Sequence, residues 1–194
     1  MKEKVLSSFH TATTKIEKKT VLSVLNIGAR LLVICLVVAA VVSLVNEVTK
    51  KRYAELQEQE KANAMAVIFG AETLTYTDLG NGVYALKQGG EPLGYCVEST
   101  TAGFGGEMSL MVGFDLGRTI VGVQILSHSE TPGLGARVND AGYLSQYGGK
   151  TGDLAFGEDI DAISGATISS KAVLAGVKAA QTTLDSVLER SDAQ

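Results

Sequence analysis

One apolar segment restricts the folding of this chain more than any other feature of its sequence. Leu31–Val45 reads LLVICLVVAAVVSLV and contains no charged residue. Extended back to Ile27, the segment approaches the roughly 20 apolar residues that a helix needs to cross a bilayer. Arg30 lies near one end, where a long cationic side chain can extend to the lipid headgroups. A helix packed on a soluble core would show a polar face, so we expect a membrane span.

The surrounding residues favour an uncleaved anchor over a signal peptide. The polar leader is long, and the residues after the span, SLVNEV, contain no small-x-small cleavage site. We therefore expect an N-terminal tail over 1–23, a transmembrane helix over 24–46, a helical stalk over 47–70 and a folded domain over 71–194.

Charge is unevenly distributed and argues against one class of partner. Residues 1–30 carry six Lys or Arg against two acids, whereas residues 47–194 carry eleven against nineteen. An acidic body without a basic patch speaks against nucleic-acid binding. Within about 20 residues of each end of the span, five cations precede it and four follow it, so the positive-inside rule only slightly favours a cytoplasmic N-terminus. These cations are Lys4, Lys15, Lys18, Lys19 and Arg30, then Lys50, Lys51, Arg52 and Lys61.

The cysteine and histidine content argues against a metal cofactor held by this chain alone. Cys35 lies in the apolar segment and Cys96 in the body, so the two are too far apart to pair. Two cysteines and two histidines at four distant positions do not supply an iron–sulfur or zinc site. His128 and Glu130 resemble a metal pair but lack a third ligand. We expect a redox cofactor to be organic or shared with another chain.

The body of the chain shows helical and then strand periodicity. Residues 46–70 contain helix formers and no proline, which predicts a helix that stops at Gly70. The residues expected to pack this helix on the domain are Ala66, Val67 and Phe69. From about residue 73 the period becomes two, with four β-rich segments between turns. These segments are VYALKQ, LGYCVE, EMSLMVGF and TIVGVQIL.

The third of these segments is typical of a half-buried antiparallel strand, because its larger apolar residues alternate with smaller or polar ones. The alternating residues are Met108, Leu110, Val112 and Phe114. Asp115-Leu116-Gly117 then predicts a short hairpin. Residues 127–160 are irregular and rich in glycine, with a short helical turn expected at Tyr143-Leu144; so long an irregular stretch is usually functional or disordered.

A final amphipathic helix is expected from about Ile168 to Arg190, and its apolar stripe must pack on the sheet. The stripe consists of Val173, Val177, Ala180, Leu184, Val187 and Leu188. With the strands, this predicts an α+β domain that has a mainly antiparallel sheet and flanking helices.

The segment DAISGATISS, residues 161–170, lies where the final helix begins. Ser164 or Thr167 can cap the helix, and Ser169 and Ser170 offer further hydroxyls. A helix N-terminus also binds anions, and Lys171 departs from the acidic preference of a first turn, as a nearby phosphate would favour. From the residues alone, both capping and phosphate binding remain open.

The order of residues within this segment matches a modification motif. DAISGAT follows the pattern Asp-x-x-(Ser/Thr)-Gly-Ala-Thr that flavin transferases recognise, in proteins whose final threonine carries FMN through a phosphoester bond. A threonine hydroxyl is a weak nucleophile that needs an outside enzyme to activate it, and small neighbours leave it accessible. The recognition residues by this likeness are Asp161, Ser164, Gly165, Ala166 and Thr167, with Thr167 as the attachment point.

A second loop, GVQILSHSETPGLGARV over 122–138, leaves a strand and enters Thr131-Pro132-Gly133. Proline followed by glycine suits a type II turn, because glycine accepts positive φ at the third position. Taken alone, the segment is equally consistent with an ordinary loop.

Together these motifs resemble the G subunit of the Rnf (Rsx) electron-transport complex. The shared features are one membrane helix, the exit at Val45–Lys50, the loop at His128–Gly135, the glycine-rich strand entry at 103–115 and the SGAT site. The resemblance covers nearly the whole chain from about residue 20. The C subunit of the sodium-translocating NADH:quinone reductase, usually a longer chain, is a related alternative.

The resemblance implies a redox subunit of an ion-translocating ferredoxin:NAD oxidoreductase complex in the cell inner membrane. It would relay electrons through covalent FMN in an extracytoplasmic (periplasmic) domain, with a cytoplasmic N-terminus and no independent catalytic activity. The implied partners are the A, B, C, D and E subunits of the complex, the flavin transferase and the lipid bilayer.

The resemblance also implies which residues bind FMN. They are Ser164, Gly165, Ala166, Thr167 and Lys171 near the final helix, and His128, Glu130, Thr131, Gly133, Leu134 and Gly135 in the loop. Candidates for contact with the isoalloxazine ring are Leu134, Tyr143 and Tyr147, and the backbone amides of Gly133–Gly135 are candidates for tuning its potential. A non-redox alternative is a membrane-anchored assembly or binding module in which SGAT serves only as a helix cap.

Overall fold

The computed structural model describes the backbone of residues 2–71 and 73–192 and comprises two compact units, Met1–Glu55 and Leu56–Gln194. Helix α1, Lys2–Phe69, supplies the first unit and the opening of the second. Within the first unit, Val21–Glu47 has a mean hydropathy of 2.6, and none of its most apolar window is buried. This part of the helix is long and apolar enough to cross a membrane, as the sequence predicts.

The second unit is built on a five-stranded antiparallel sheet with the order β1-β2-β3-β4-β5. Its strands are β1 Thr75–Gly80, β2 Val83–Gln88, β3 Glu91–Ala102, β4 Glu107–Asp115 and β5 Ile120–Ser127. The four predicted strands and the hairpin between β4 and β5 are confirmed. Strand β1 was not predicted, because each of its residues is exposed and hydrophobic alternation is absent.

The helical elements after the sheet agree with the sequence. Two 3₁₀ turns, Gly135–Asn139 and Ser145–Tyr147, flank the four-residue helix α2, Ala141–Leu144. Helix α3, Thr167–Asp192, closes the described chain. The short helical turn, the final helix and the α+β class are therefore confirmed.

One face of the sheet is covered by α3 and the short helices. The predicted stripe packs there: Val173, Val177, Ala180, Leu184 and Val187 are buried, and Leu188 is partly buried against the same cluster. Gly176 permits a close approach, because a Cβ at this position would lie 2.7 Å from a methyl of Leu110 on β4. This packing fixes the start of α3 relative to the strands.

The other face of the sheet is covered by the last turns of α1. Met65 is buried there, with Ile68 and Phe69 partly buried against the same cluster. Val67 was expected to pack on the domain, and this prediction is wrong: it is 63% exposed. Residues three apart on a helix share a face, so Met65 and Ile68 face the sheet while Val67 points outward.

Because α1 covers this second face, β4 is buried on both sides rather than half-buried as predicted. Met108, Leu110, Val112 and Phe114 face the α3 layer, while Met111 belongs to the cluster under α1. Gly113 also faces α1, and a Cβ there would clash with Ile68. The sequence expectation failed because the covering helix lies more than forty residues earlier in the chain.

Candidate functional site

Three segments distant in the sequence meet around one cavity of about 240 Å³. They are the loop between β3 and β4, the loop that follows β5, and the first turn of α3. The lining residues are Phe104, Glu130, Thr131, Leu134, Gly135, Gly165, Ala166, Thr167, Ile168 and Ser169. Of the residues that the sequence assigned to FMN, Glu130, Thr131, Leu134, Gly135, Gly165, Ala166 and Thr167 are brought together here.

The loop after β5 contains the predicted tight turn. The Leu134 amide donates to the Thr131 carbonyl at 3.2 Å, and Gly133 has φ of +75°. Proline at the second position and a positive-φ glycine at the third define a type II turn. The turn brings Leu134, which is 48% exposed, to the cavity.

The DAISGAT segment leads into the first residue of α3. Gly165 has φ of +80°, and a Cβ there would lie 3.3 Å from a methyl of Leu134. Ala166 is buried, whereas Thr167 is exposed. Among the residues that the structure describes, the Thr167 hydroxyl has no hydrogen-bond partner. The motif therefore presents a free hydroxyl at the cavity.

The capping expectation for Ser164 and Thr167 is not met within the described chain, where neither side chain makes a capping hydrogen bond. Ser170 instead accepts a hydrogen bond from the Ile163 amide at 3.1 Å. Ser170 lies one turn into α3 and is fully buried. Its hydrogen bond therefore fixes the segment before the helix, at Ile163, against the first turn of α3. This contact leaves the Thr167 hydroxyl free for other chemistry.

Glu130 links the three segments at the base of the cavity. Its side chain is buried, and Oε1 accepts hydrogen bonds from the amides of Phe104 at 2.7 Å and Gly105 at 3.2 Å. Oε2 accepts a hydrogen bond from the Ser169 hydroxyl at 2.7 Å. Burial alone would raise the pKa of Glu130, but these donors, with His128 nearby, hold the pKa below its ordinary value.

Three glycines allow close packing around Glu130 and its neighbour Ser129. A Cβ on Gly103 or on Gly135 would clash with a carboxylate oxygen of Glu130, and a Cβ on Gly105 would clash with the carbonyl of Ser129. The glycines at these positions are therefore required by close approach rather than by flexibility. Their spacing in the sequence predicted a loop but did not show that the loop packs on buried Glu130.

The remaining predicted residues do not line the cavity. His128 is half-buried, and its Nδ1 accepts a hydrogen bond from the Glu130 amide at 3.2 Å. Lys171 and Ser164 are exposed. Asp161 is also exposed, and its amide donates to Gln146 Oε1 at 2.8 Å, a contact that the sequence did not indicate. The flavin or transferase roles assigned to these residues stay predictions.

Tyr143 and Tyr147, the other two candidates for contact with the flavin ring, are buried in the core and do not line the cavity. They are 5% and 0% exposed, belong to the core under α3, and their hydroxyls lie 3.2 Å apart. Their positions in a glycine-rich stretch suggested a surface loop, but Tyr143 on α2 and Tyr147 on the following 3₁₀ turn both place their rings in the core. Phe104 and Ile168, which the sequence did not single out, line the cavity instead.

Comparison with known proteins agrees with this geometry. The model of the FMN-binding domain family matches residues 103–182, a range that contains all three segments of the cavity. The chain therefore carries an FMN-binding domain.

Relatives extend the match beyond this domain. The chain is 30% identical to the G subunit of the proton-translocating ferredoxin:NAD(+) oxidoreductase complex of Clostridium ljungdahlii, over 81% of this chain and 90% of that protein. It is 34% identical to the G subunit of the ion-translocating oxidoreductase complex of Methanosarcina acetivorans, over 74% and 85%. The chain belongs to the family formed by the G subunits of ion-translocating oxidoreductase complexes, as the sequence motifs indicated.

Among solved structures, the C subunit of the Na(+)-translocating NADH-quinone reductase of Parabacteroides distasonis is similar over 55% of this chain and 61% of that chain. The identity is 27% and the TM-score is 0.46.

Proposed function

We infer that this chain is the membrane-anchored electron-transfer subunit of an Rnf-type ion-translocating ferredoxin:NAD oxidoreductase complex, and that it carries FMN on Thr167 through a phosphoester bond. One observation carries this proposal: the exposed Thr167 hydroxyl lines the cavity within a complete DAISGAT motif and has no hydrogen-bond partner in the described part of the chain. The family membership and the FMN-binding domain support it.

The residues present fit this cofactor. Pockets for drug-sized ligands span roughly 300–1,000 Å³, so a cavity of about 240 Å³ accommodates part of FMN and leaves the rest on the surface. Three large apolar side chains on its lining, Phe104, Leu134 and Ile168, are 48–68% exposed. An apolar rim beside a free hydroxyl suits a ligand that has a flat ring at one end and a phosphate at the other.

Bound FMN would supply a ring that accepts and releases electrons. The protein's contribution is to attach and orient it. Thr167 Oγ1 loses its proton and displaces the mononucleotide leaving group from the flavin-side phosphorus of a flavin dinucleotide supplied to the transferase, so that one phosphorus–oxygen bond forms as another breaks. The amides at the start of α3 and the cationic side chain of Lys171 would stabilise the phosphate. A covalent bond retains the cofactor where free flavin is dilute.

The domain boundaries and orientation belong to the same proposal. The tail over 1–23 would be cytoplasmic, the helix over 24–46 would span the inner membrane, and the stalk over 47–70 would lead to the periplasmic FMN domain over 71–194. The relatives' names support assembly into a multisubunit complex. We propose the A, B, C, D and E subunits of that complex and a flavin transferase as partners.

The test uses the full chain, purified with its companion subunits from a host that contains a flavin transferase. We expect its intact mass to exceed that of the polypeptide by one FMN less one water, and the denatured band to fluoresce. Thr167→Ala should abolish both signals while the circular dichroism spectrum stays unchanged, because the side chain is exposed. Ser164→Val is not a suitable control, since Ser164 lies in the transferase motif.

Thr182→Ala is a matched control, because it removes an exposed hydroxyl from the same helix outside the motif. Flavin content should remain that of the unmodified sequence. A native protein whose mass equals the bare polypeptide would overturn the proposal and favour the non-redox assembly module.

A further inference from the structure

Phe104 is the most exposed aromatic side chain near the cavity. It is 68% exposed, although it lies between two glycines, Gly103 and Gly105, that pack closely against Glu130 and Ser129. The side chain lines the cavity of Thr167 and also an open concavity formed by residues 100–107. An immobilised loop that presents a phenyl ring to solvent beside a candidate cofactor site is suited to binding a flat ring.

The loop around Phe104 is fixed by its backbone. The Phe104 amide donates to buried Glu130 at 2.7 Å, and the Gly103 amide donates to the Gly106 carbonyl at 2.8 Å. Glu130 in turn accepts from Ser169, two residues beyond Thr167. One carboxylate therefore sets the position of the aromatic residue relative to the residue proposed to carry FMN.

We propose that Phe104 is the residue whose ring packs against the isoalloxazine face, and that buried Glu130 is a positioning residue that holds Phe104 in register with Thr167. This inference rests on the proposed attachment of FMN at Thr167. The flavin ring is the expected occupant of this cavity, because Phe104, Leu134 and Ile168 line it together with the Thr167 hydroxyl. Aromatic faces prefer offset or edge contacts with other rings, which a rigid loop can supply at little entropic cost.

The chain lacks tryptophan, which allows a direct optical test. Electron transfer from an indole ring to excited flavin is fastest at contact and falls steeply with distance, so a tryptophan touching the isoalloxazine strongly quenches its fluorescence. In the purified complex, Phe104→Trp should lower the native flavin fluorescence yield severalfold relative to the same sample after denaturation. Leu116→Trp is the matched control: Leu116 is 55% exposed at the β4–β5 turn, outside the cavity, and the yield should not change.

Removing the ring provides the complementary measurement. Phe104→Ala should make the flavin more accessible to iodide. Loss of one aromatic contact is expected to lower the ratio of docked to undocked ring roughly fivefold, which corresponds to about 1 kcal/mol. Leu116→Ala should leave iodide access unchanged. Flavin content is determined on denatured samples, so a change in loading does not enter either comparison.

The role of Glu130 is tested on the Phe104→Trp background. Glu130→Ala should relieve the quenching, whereas Glu130→Gln should retain it, because an amide oxygen still accepts from the Phe104 amide. Gly105→Ala keeps the Glu130 side chain but displaces the same loop from the Ser129–Glu130 backbone, and should also relieve the quenching. This second variant gives the answer if Glu130→Ala does not fold.

The outcomes separate the two proposals. If denatured protein carries FMN on Thr167 but tryptophan at position 104 quenches no more than at 116, the assignment of Phe104 is wrong and the attachment stands. If quenching persists in folded Glu130→Ala, the positioning role of Glu130 is wrong; where that variant does not fold, persistence of quenching in Gly105→Ala has the same meaning. Absence of flavin from the unmodified protein overturns the attachment at Thr167 and this inference with it.

Discussion

Two glutamates of the domain join segments that are distant in the sequence, yet they do so by different means. Glu98 on β3 pairs with Lys61 of α1 at 2.8 Å, and both side chains retain 19–27% exposure. Glu130 is 5% exposed and, among the residues that the structure describes, is held by two amides and a hydroxyl rather than by a cation.

The ion pair of Glu98 and the hydrogen bonds of Glu130 are suited to different roles. The Lys61–Glu98 pair, with the Tyr84 ring beneath the ammonium, attaches the end of α1 to the sheet and stays partly hydrated. A partly hydrated ion pair such as Lys61–Glu98 tolerates small displacements of its side chains. Hydrogen bonds from fixed backbone amides are directional, so Glu130 defines positions rather than simply adding attraction. The glutamate at the cavity positions the site, whereas the one under α1 anchors a helix.

The largest effect expected from this contrast is on stability. Glu130→Ala leaves two amides and one hydroxyl without their acceptor in a buried place, which should lower the free energy of unfolding by about 3 kcal/mol. Glu98→Ala should cost about 1 kcal/mol, because the Lys61–Glu98 pair stays partly hydrated and such ion pairs contribute little. Urea unfolding of the two variants measures the difference. Equal losses in both would remove the distinction between positioning and anchoring.

An intermediate effect is expected from filling the space beside Glu130. A Cβ at Gly135 would clash with Glu130 and lie 2.8 Å from the Ser169 hydroxyl, so Gly135→Ala should destabilise the fold by about 2 kcal/mol. Gly142→Ala is the control: nothing lies within 4 Å of its Cβ position and its φ is not positive. That variant should be neutral or more stable by about 0.5 kcal/mol in thermal unfolding. A neutral Gly135→Ala would show that the site is loosely packed.

The smallest expected effect is on the pH dependence of stability. The folded-state pKa of Glu130 lies below its ordinary value of 4.5, so the unfolded chain binds the proton more readily. The stabilisation is therefore present above about pH 4.5 and is lost as the pH falls through the folded-state pKa. The loss is partial, because a protonated carboxyl keeps some of the same hydrogen bonds.

The measurement compares the unmodified protein with Glu130→Gln by urea unfolding at several pH values down to about pH 3. The unmodified protein should lose more stability than the variant over the acidic range. Parallel curves would show that the pKa of Glu130 is not lowered by folding. The Lys61 pair behaves in the opposite sense: hydrogen bonding to Glu98 raises the pKa of Lys61, so its contribution is lost only at strongly alkaline pH.

Much of the architecture could be predicted from short stretches of the sequence. The span around Leu31–Val45, four of five strands, the positive-φ turn at Gly133 and the stripe of α3 each depend on periodicity or on backbone preferences of a few adjacent residues. Strand β1 escaped detection because it is exposed along its length. Val67 was misplaced because helical amphipathicity could not show which face of α1 meets the sheet.

The site divides in the same way. DAISGAT and the ETPGLG loop could be recognised as motifs in the sequence, and seven of the residues assigned to FMN in them line one cavity. The sequence did not predict three features of the site. These are the position of Phe104, the burial of Tyr143 and Tyr147, and the hydrogen bond made by Ser170 rather than Thr167 near the start of α3. Each depends on which atoms approach from another segment.

The sequence by itself determined that a long apolar helix precedes an antiparallel domain, and which threonine lies in a flavin-attachment motif. These are properties of neighbouring residues, and short-range sterics and hydrophobic spacing suffice to set them. Only the tertiary structure decided that Glu130 is buried between the Phe104 loop and α3. That burial exists because three segments, separated by as many as 65 residues between Phe104 and Ser169, pack together and exclude water.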